Sequence, residues 1–186
     1  MTRTLLLMRH GKSDWKAGYD DDHERPLKQR GVKAVKRMGR WLAMAKLQPD
    51  VVLTSTAKRA RGTAALIGVE LGGPSRTVED ARLYDTDVAT LLRVIGSHAG
   101  EARCVMVVGH NPELETLLLY LAQETPAAAA NGKLLPTGAI AVLEHEHQWA
   151  ALREGTVTVR QIVRPREIAE PQFDRAIASG HGRAVR

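Results

Sequence analysis

Two hydrophobic patterns alternate along this chain: short unbroken apolar runs, and longer stretches in which apolar residues return every three or four positions. The runs at residues 4–8, 51–55 and 104–110 are bounded by polar residues or glycine. Each reads as a strand buried on both faces, the kind that parallel sheets use. Between them, residues 29–46 place Val32, Val35, Met38, Trp41, Leu42 and Ala45 on one helical face, and residues 56–71 do the same with Ala60, Ala64, Ile67 and Leu71. Thr86-Asp87 caps a third helix built on Val88, Leu91, Leu92 and Ile95. Asn111-Pro112-Glu113 starts a fourth, with Asn111 as cap, Pro112 at the first helical position, and Leu114, Leu117, Leu118 and Leu121 as its buried face. Residues 76–83 read as a weak strand or extended segment.

The last third changes character. Residues 125–137 are rich in Ala, Pro and Gly and read as a surface loop. Residues 138–146, 149–153 and 156–163 read as strands with short turns, forming an antiparallel edge. Residues 171–186 have little to pack and are expected to be a mobile tail. Alternation of strand and helix implies an α/β fold, its sheet mostly parallel and covered on both faces.

At 186 residues the chain fits one domain with a full sheet and its helices. Aromatic residues make up only 4%, so the core must be built from Leu, Val, Ile, Ala and Met. The one cysteine, Cys104, lies in an apolar run and has no partner for an internal disulfide, which fits a reducing, cytoplasmic setting. No stretch approaches the roughly 20 apolar residues of a membrane helix. The net charge of +6 raises a nucleic-acid reading, but residues 157–186 supply half of it, with six Arg against Glu167, Glu170 and Asp174. Without interleaved aromatics for base stacking, a solvated surface and an anion pocket explain the charge better than nucleic acid does.

The apolar runs end on chemistry-bearing residues: Arg9 and His10 after the first, Ser55 with nearby Arg59 after the second, His110 after the third. In an open α/β sheet, ligands bind outside the carboxyl ends of the strands. If these strands are neighbours, their polar ends converge there, and the set suits phosphoryl transfer. A neutral imidazole attacks phosphorus and carries the group covalently, while guanidinium groups and a second imidazole hold the equatorial oxygens. The plainer reading of each is a strand-to-loop turn. No group of residues has the spacing of a metal site; His145 and His147, which alternate along one strand, read as surface histidines, and no cofactor is implied.

Three blocks now carry a family resemblance. Arg9-His10-Gly11 resembles the signature of the histidine phosphatase superfamily, the phosphoglycerate-mutase-like proteins. Residues 55–64, Ser55-Thr56-Ala57-Lys58-Arg59-Ala60-Arg61-Gly62-Thr63-Ala64, resemble its second block, and Val107-Val108-Gly109-His110-Asn111-Pro112 its third. Asp22-His23-Glu24-Arg25-Pro26-Leu27, the stretch around Leu135-Pro136-Thr137-Gly138, and Val163-Arg164-Pro165-Arg166-Glu167-Ile168 are similar to the small SixA-like branch, the phosphohistidine phosphatases.

The resemblance implies a three-layer αβα sandwich of the phosphoglycerate-mutase-like type over residues 1–170, with residues 171–186 as the tail. It implies His10 as nucleophile, Arg9 and Arg59 as phosphate ligands, and His110 as a further ligand that stabilises the transition state. Arg25 would be a fourth cation, with Asp22 orienting it; the plainer reading of residues 22–27 is a helix-start turn held by a surface ion pair. Ser55 and Thr63 are equally well read as capping and packing residues. For a general acid the resemblance leaves Glu79, Asp80 and Asp85, and nothing chooses among them. Only residues 71–103 separate the second and third blocks, which implies a small cap and an open site.

The activity implied is a metal-independent phosphatase for phosphohistidine in a protein partner. The alternatives are a small-molecule phosphomonoesterase or mutase and, in another class, a non-catalytic phosphate-binding module. Neither nucleic acid nor membrane is an expected partner.

Overall fold

A computed structural model describes residues 1–73, 76–128 and 132–168. Six strands form one sheet: β1 (Arg3–Arg9), β2 (Val51–Thr54), β3 (Arg76–Glu79), β4 (Cys104–Gly109), β5 (Ile140–His145) and β6 (Thr158–Val163). Their order across the sheet is β3-β2-β4-β1-β5-β6. The first four are mutually parallel; β5 runs antiparallel to β1, and β6 antiparallel to β5. The expected mostly parallel sheet with an antiparallel edge is therefore present. The segment 171–186 lies outside the described residues.

Period-two alternation along the strands sorts the core into two layers. Leu5 and Leu7 of β1, Val51 and Leu53 of β2, and Val105 and Val107 of β4 face one side, where α3 (Val88–Ala99) and α4 (Glu113–Leu121) cover them. Leu6, Met8, Val52, Met106 and Val108 face the other, covered by α1 (Gln29–Met44) and α2 (Lys58–Glu70). Every one of these side chains is buried. The result is the three-layer αβα sandwich, with β1 and β4 at its centre.

Helix α1 approaches the loop after β1 so closely that only glycine fits. A Cβ on Gly31 would lie 2.2 Å from the Lys12 carbonyl oxygen, and one on Gly11 would lie 2.7 Å from Val35 Cγ2. Both are below the closest approach a Cβ tolerates, so Gly31 lets the helix backbone meet the loop backbone and Gly11 lets the loop meet the Val35 side chain.

Four expectations fail locally. Residues 149–151 form a 3-10 turn rather than a strand, because Trp149 turns inward: its indole N–H donates to the Ala102 carbonyl at 2.8 Å and its ring meets His145 edge-on at 4.7 Å. His145 is for the same reason buried, only 4% exposed, not a surface histidine. Asn111 does not cap α4. Its side-chain amide donates instead to the Leu135 carbonyl at 3.0 Å, the Asn111–Pro112 bond is cis, and Pro112 stands at the cap position. The segment 125–137 is not all surface: Leu135 is fully buried, and its amide donates to Glu115 Oε1 at 2.7 Å.

Candidate active site

Backbone register sets the site before any side chain does. Arg9 lies opposite Gly109, and Thr54 opposite Val108, so the next residue of each strand emerges at the same edge. Two further hydrogen bonds extend the ladder: His10 N–H to the Gly109 carbonyl at 3.0 Å, and Ser55 N–H to the Val108 carbonyl at 3.1 Å. On the other flank, Gly138 N–H is 3.1 Å from both the Arg9 and His10 carbonyls. His10, Ser55 and His110 are thus held by three adjacent strands, and all are buried.

The tautomer of His10 follows from its neighbour. Its Nδ1 is 2.7 Å from the Gly11 carbonyl oxygen, which can only accept, so Nδ1 carries the hydrogen and Nε2 the lone pair. Burial drives the imidazole pKa down to about 3; the Gly11 bond opposes the fall, and the nearby Arg59, Arg9 and Arg25 guanidiniums add to it. The ring is neutral at physiological pH. That is the form a nucleophile needs.

His110 stands beside it, ring centroids 5.0 Å apart and planes inclined by 54°. Its Nε2 is 2.9 Å from Ser55 Oγ, while Nδ1 is buried with no partner among the described residues. Burial, then His10 and Arg59, push its pKa to about 3 as well. Ser55 Oγ also accepts the Ala57 N–H at 3.2 Å, so it both starts α2 and steadies His110. Thr63 ties the blocks together: its hydroxyl accepts the Gly11 N–H at 3.0 Å and donates to the Arg59 carbonyl at 2.7 Å.

Three guanidiniums act on the pair. Arg59 and Arg25 are buried. Arg59 Nη1 donates to the Asp22 backbone carbonyl at 2.7 Å, and its Nη2 meets Asp22 Oδ2 at 3.0 Å. Arg25 Nε meets Asp22 Oδ1 at 2.8 Å, its Nη1 donates to Ser13 Oγ, and its guanidinium lies 3.6 Å from the Trp15 ring centroid. Arg9 Nη1 donates to the Leu135 carbonyl at 3.1 Å, leaving Nε buried without a partner among the described residues. Burial lowers the Arg9 pKa against the pull of Glu115 and Glu113.

Asp22 is the carboxylate paired with Arg25 and Arg59, while Glu115 and Glu113 act on Arg9. Burial works to raise the Asp22 pKa, but hydrogen bonds and charge from Arg25, Arg59 and Tyr84 outweigh that and hold it below the usual range. It is therefore an anion at neutral pH with no proton to give. The three carboxylates left open as acids lie elsewhere. Glu79 pairs with Arg61 at 3.8 Å on the exposed outer strand. Asp80 is bound by Arg82 at 2.6 Å and His98 at 3.1 Å, and Arg82 foremost holds it well below the ordinary carboxylate range. Asp85 is exposed, in a left-handed turn with φ of 49°. No hydrogen bond or ion pair joins any of the three to His10, His110 or Arg59 among the described residues.

Two residues escaped the sequence reading. Tyr84 packs edge-on against His110 at 5.0 Å and donates its hydroxyl to Asp22 Oδ2 at 3.1 Å. Trp15, two-thirds exposed, stacks on Arg25 at the rim. In a chain with so few aromatics, two of them in polar loops flanking the motif blocks were the signal available. Among the described residues, no group of three or more His, Cys, Asp or Glu is arranged to hold a metal ion.

The chain is similar in sequence and fold to other proteins. Residues 5–91 match the family model of the histidine phosphatase superfamily, branch 1. An uncharacterised protein of Mycobacterium tuberculosis is 38% identical over 152 residues, 80% of this chain and 93% of that one. A 2,3-bisphosphoglycerate-dependent phosphoglycerate mutase of Methylorubrum extorquens is 36% identical over 94 residues, 49% of this chain and 44% of that one. Among solved structures, a candidate phosphohistidine phosphatase, SixA, from Nakamurella multipartitia superposes with a TM-score of 0.76 at 29% identity, covering 89% of this chain and 97% of that one. His110 falls outside the matched residues 5–91, and it reaches the site through the β1–β4 pairing. The chain belongs to the histidine phosphatase superfamily, branch 1.

Proposed function

We propose that this protein is a phosphohistidine phosphatase that works through a phosphorylated His10. The observation that carries the reading is the neutral His10 ring, its Nδ1–H tied to Gly11 and its Nε2 lone pair free to attack, with Arg9, Arg25, Arg59 and His110 around it. In the first step Nε2 attacks phosphorus in line, the Nε2–P bond forms, and the substrate's N–P bond breaks. The departing imidazole nitrogen takes its proton from water. In the second step water attacks phosphorus, the Nε2–P bond breaks, and inorganic phosphate leaves with the surplus proton passing to solvent. Arg59, Arg9 and His110 hold the equatorial oxygens where charge concentrates. Arg25 reinforces the positive field, and Asp22 orients Arg25 and Arg59.

The substrate preference rests on what surrounds the reacting atoms. An alkoxide leaving group needs a positioned acid, whereas an imidazole nitrogen is protonated by solvent. The carboxylate paired with Arg25 and Arg59, Asp22, is held ionised, and Glu79, Asp80 and Asp85 are engaged or exposed elsewhere. That supports a phosphoramidate over an alkyl ester as the substrate of this proposed activity. No helix among the described residues is long and apolar enough to cross a membrane. The deciding experiment compares kcat/KM on a phosphohistidine peptide with that on a simple alkyl phosphate. Preference for the alkyl ester overturns the assignment of substrate. Stoichiometric phosphate binding without turnover would make the protein a binding module.

A further inference from the structure

Beside the candidate active site runs a positively charged groove whose lining, Arg9 apart, the phosphoryl chemistry does not use. Its volume is about 710 Å³, and Arg9, which it shares with the site, lines it together with Lys12. One wall is the outer face of α1, carrying Arg30, Lys33 and Arg37. The opposite wall is the segment after β6, where Pro165 is buried and its carbonyl accepts from Arg37 Nη1 at 2.9 Å. Arg164 and Arg166 line it from that side. Its lining acid, Glu167, is already engaged by Arg164 at 3.3 Å. Among the described residues neither Arg30 nor Lys33 has an ion-pair partner, and both are exposed. Helix α1 contains no Asp or Glu at all.

The dimensions point to an extended chain. Arg30, Lys33 and Arg37 follow one helical stripe, and seven residues at about 1.5 Å rise span roughly 10 Å. An extended peptide covers that length in about three residues at ~3.3 Å each. The floor is apolar, formed by Ala34, Pro136 and Pro165, and offers contact to peptide methylenes that a bare polyphosphate would leave unused. No aromatic side chain lines the groove for base stacking, and a recessed cleft does not fit a flat membrane surface.

We infer that this groove holds a short acidic segment of the phosphorylated protein substrate, lying next to the phosphohistidine and bound before the phosphoryl group is transferred. The inference rests on the proposed phosphohistidine phosphatase activity for its substrate, and on the groove's own charge and shape for its site. Several partly exposed ion pairs, each worth little alone, sum to a preference of about tenfold at low salt.

The test has a binding arm and a turnover arm, both on the full chain. Fluorescence anisotropy measures a labelled peptide with four consecutive Asp/Glu residues against its Ala counterpart, for the wild type and for Arg30→Glu/Lys33→Glu. A second variant, Arg30→Gln/Lys33→Gln, uses helix-compatible neutral residues at exposed positions should charge reversal disturb α1. Expected are binding of the acidic peptide about tenfold tighter than of the Ala peptide, loss of that margin in both variants, and weakening with salt. In the turnover arm, phosphohistidine peptides with and without the acidic run should differ about tenfold in kcat/KM, through KM, in the wild type only.

Equal binding of the two peptides, or a margin that survives both substitutions, overturns the inference. So does tight binding of tripolyphosphate at the groove with none of the acidic peptide, which would mark a subsite for small polyphosphates. Acidic-peptide binding that depends on Arg30 and Lys33, without hydrolysis of any phosphohistidine peptide, upholds the groove and defeats the phosphatase reading instead.

Discussion

The two ends of β1 each hold buried histidine, and only one end makes a site. At the carboxyl end lie His10 and His110; at the amino end, opposite Arg3, lies His145. Both regions bury the imidazole, both depress its pKa, and both set the ring against another ring. They differ in company. His145 faces Trp149, and among the described residues only the His147 backbone offers its ring a weak polar contact. His10 has one nitrogen fixed by a carbonyl, which defines the other as a lone pair, and Arg9, Arg25 and Arg59 act on it together. Burial and a shifted pKa therefore do not make an active centre. A fixed tautomer among converging cations does.

The sharpest way to break this comparison is to exchange the fates of the two ends. His10→Ala should abolish hydrolysis and also the trapping of labelled phosphate on the protein, read by acid-labile label after rapid quench. Retained turnover would show that the carboxyl end is no more catalytic than the amino end. Arg59→Ala should lower kcat/KM by about 10²-fold or more, as expected when a preorganised charge-stabilising donor is removed. An effect near unity would leave Arg59 as a structural partner of Asp22 alone.

Acid should act on both ends alike. The folded pKa values of His10 and His110 are about 3 and that of His145 about 4, all below the ordinary 6.5. Above pH 6.5 folded and unfolded forms are both neutral at these positions. Below it the unfolded chain takes up protons that the folded one refuses, so stability falls as pH drops from 6.5 toward 4. Each histidine contributes up to ~1.4 kcal/mol per pH unit in that window. Urea midpoints at pH 7, 6 and 5 measure the slope, and a flat profile would mean the rings are far more hydrated than their burial implies.

Two smaller changes sharpen the contrast. Tyr84→Phe removes one hydroxyl bond to Asp22 and should reduce kcat/KM by a few-fold, in line with ~0.5–1.5 kcal/mol for a single hydrogen bond. His145→Leu should leave kcat/KM where it is, shift the melting temperature by a few degrees, and reduce the acid slope, because it removes a buried, poorly satisfied imidazole. A loss of activity there would join the two ends functionally.

Much of this was legible in the residues because it depends on local periodicity. The strands ending at Arg9, Thr54 and Gly109 and the four helices follow from apolar spacing, and their polar ends drew His10, Arg59 and His110 to one edge. What stayed hidden was set by distant segments meeting. Asp22 bridges Arg25 and Arg59, 37 residues away, and Tyr84, 62 residues away. Leu135 read as loop, yet its carbonyl receives both Arg9 and Asn111. Asn111 has the chemistry of a cap and lost that role to this longer-range acceptor. Trp149 has the chemistry of a strand residue and turned inward because Ala102 and His145 offered its indole a polar tip and a packed face.

The pairing of β1 has a consequence for how this molecule comes to be active. Thr4 lies against Cys104, and Arg3 against His145, so both neighbours of the first strand come from the far half of the chain. Closing loops of that length costs entropy before any contact repays it, which places such pairings late and makes them cooperative. The His10 backbone is held between those two pairings, its N–H donating to the Gly109 carbonyl and its own carbonyl accepting from the Gly138 N–H. A chain emerging from the ribosome carries Arg9-His10-Gly11 long before it can use it. Recovery of turnover during refolding is thus a measure of the last long-range step, and it should lag behind the return of helical signal.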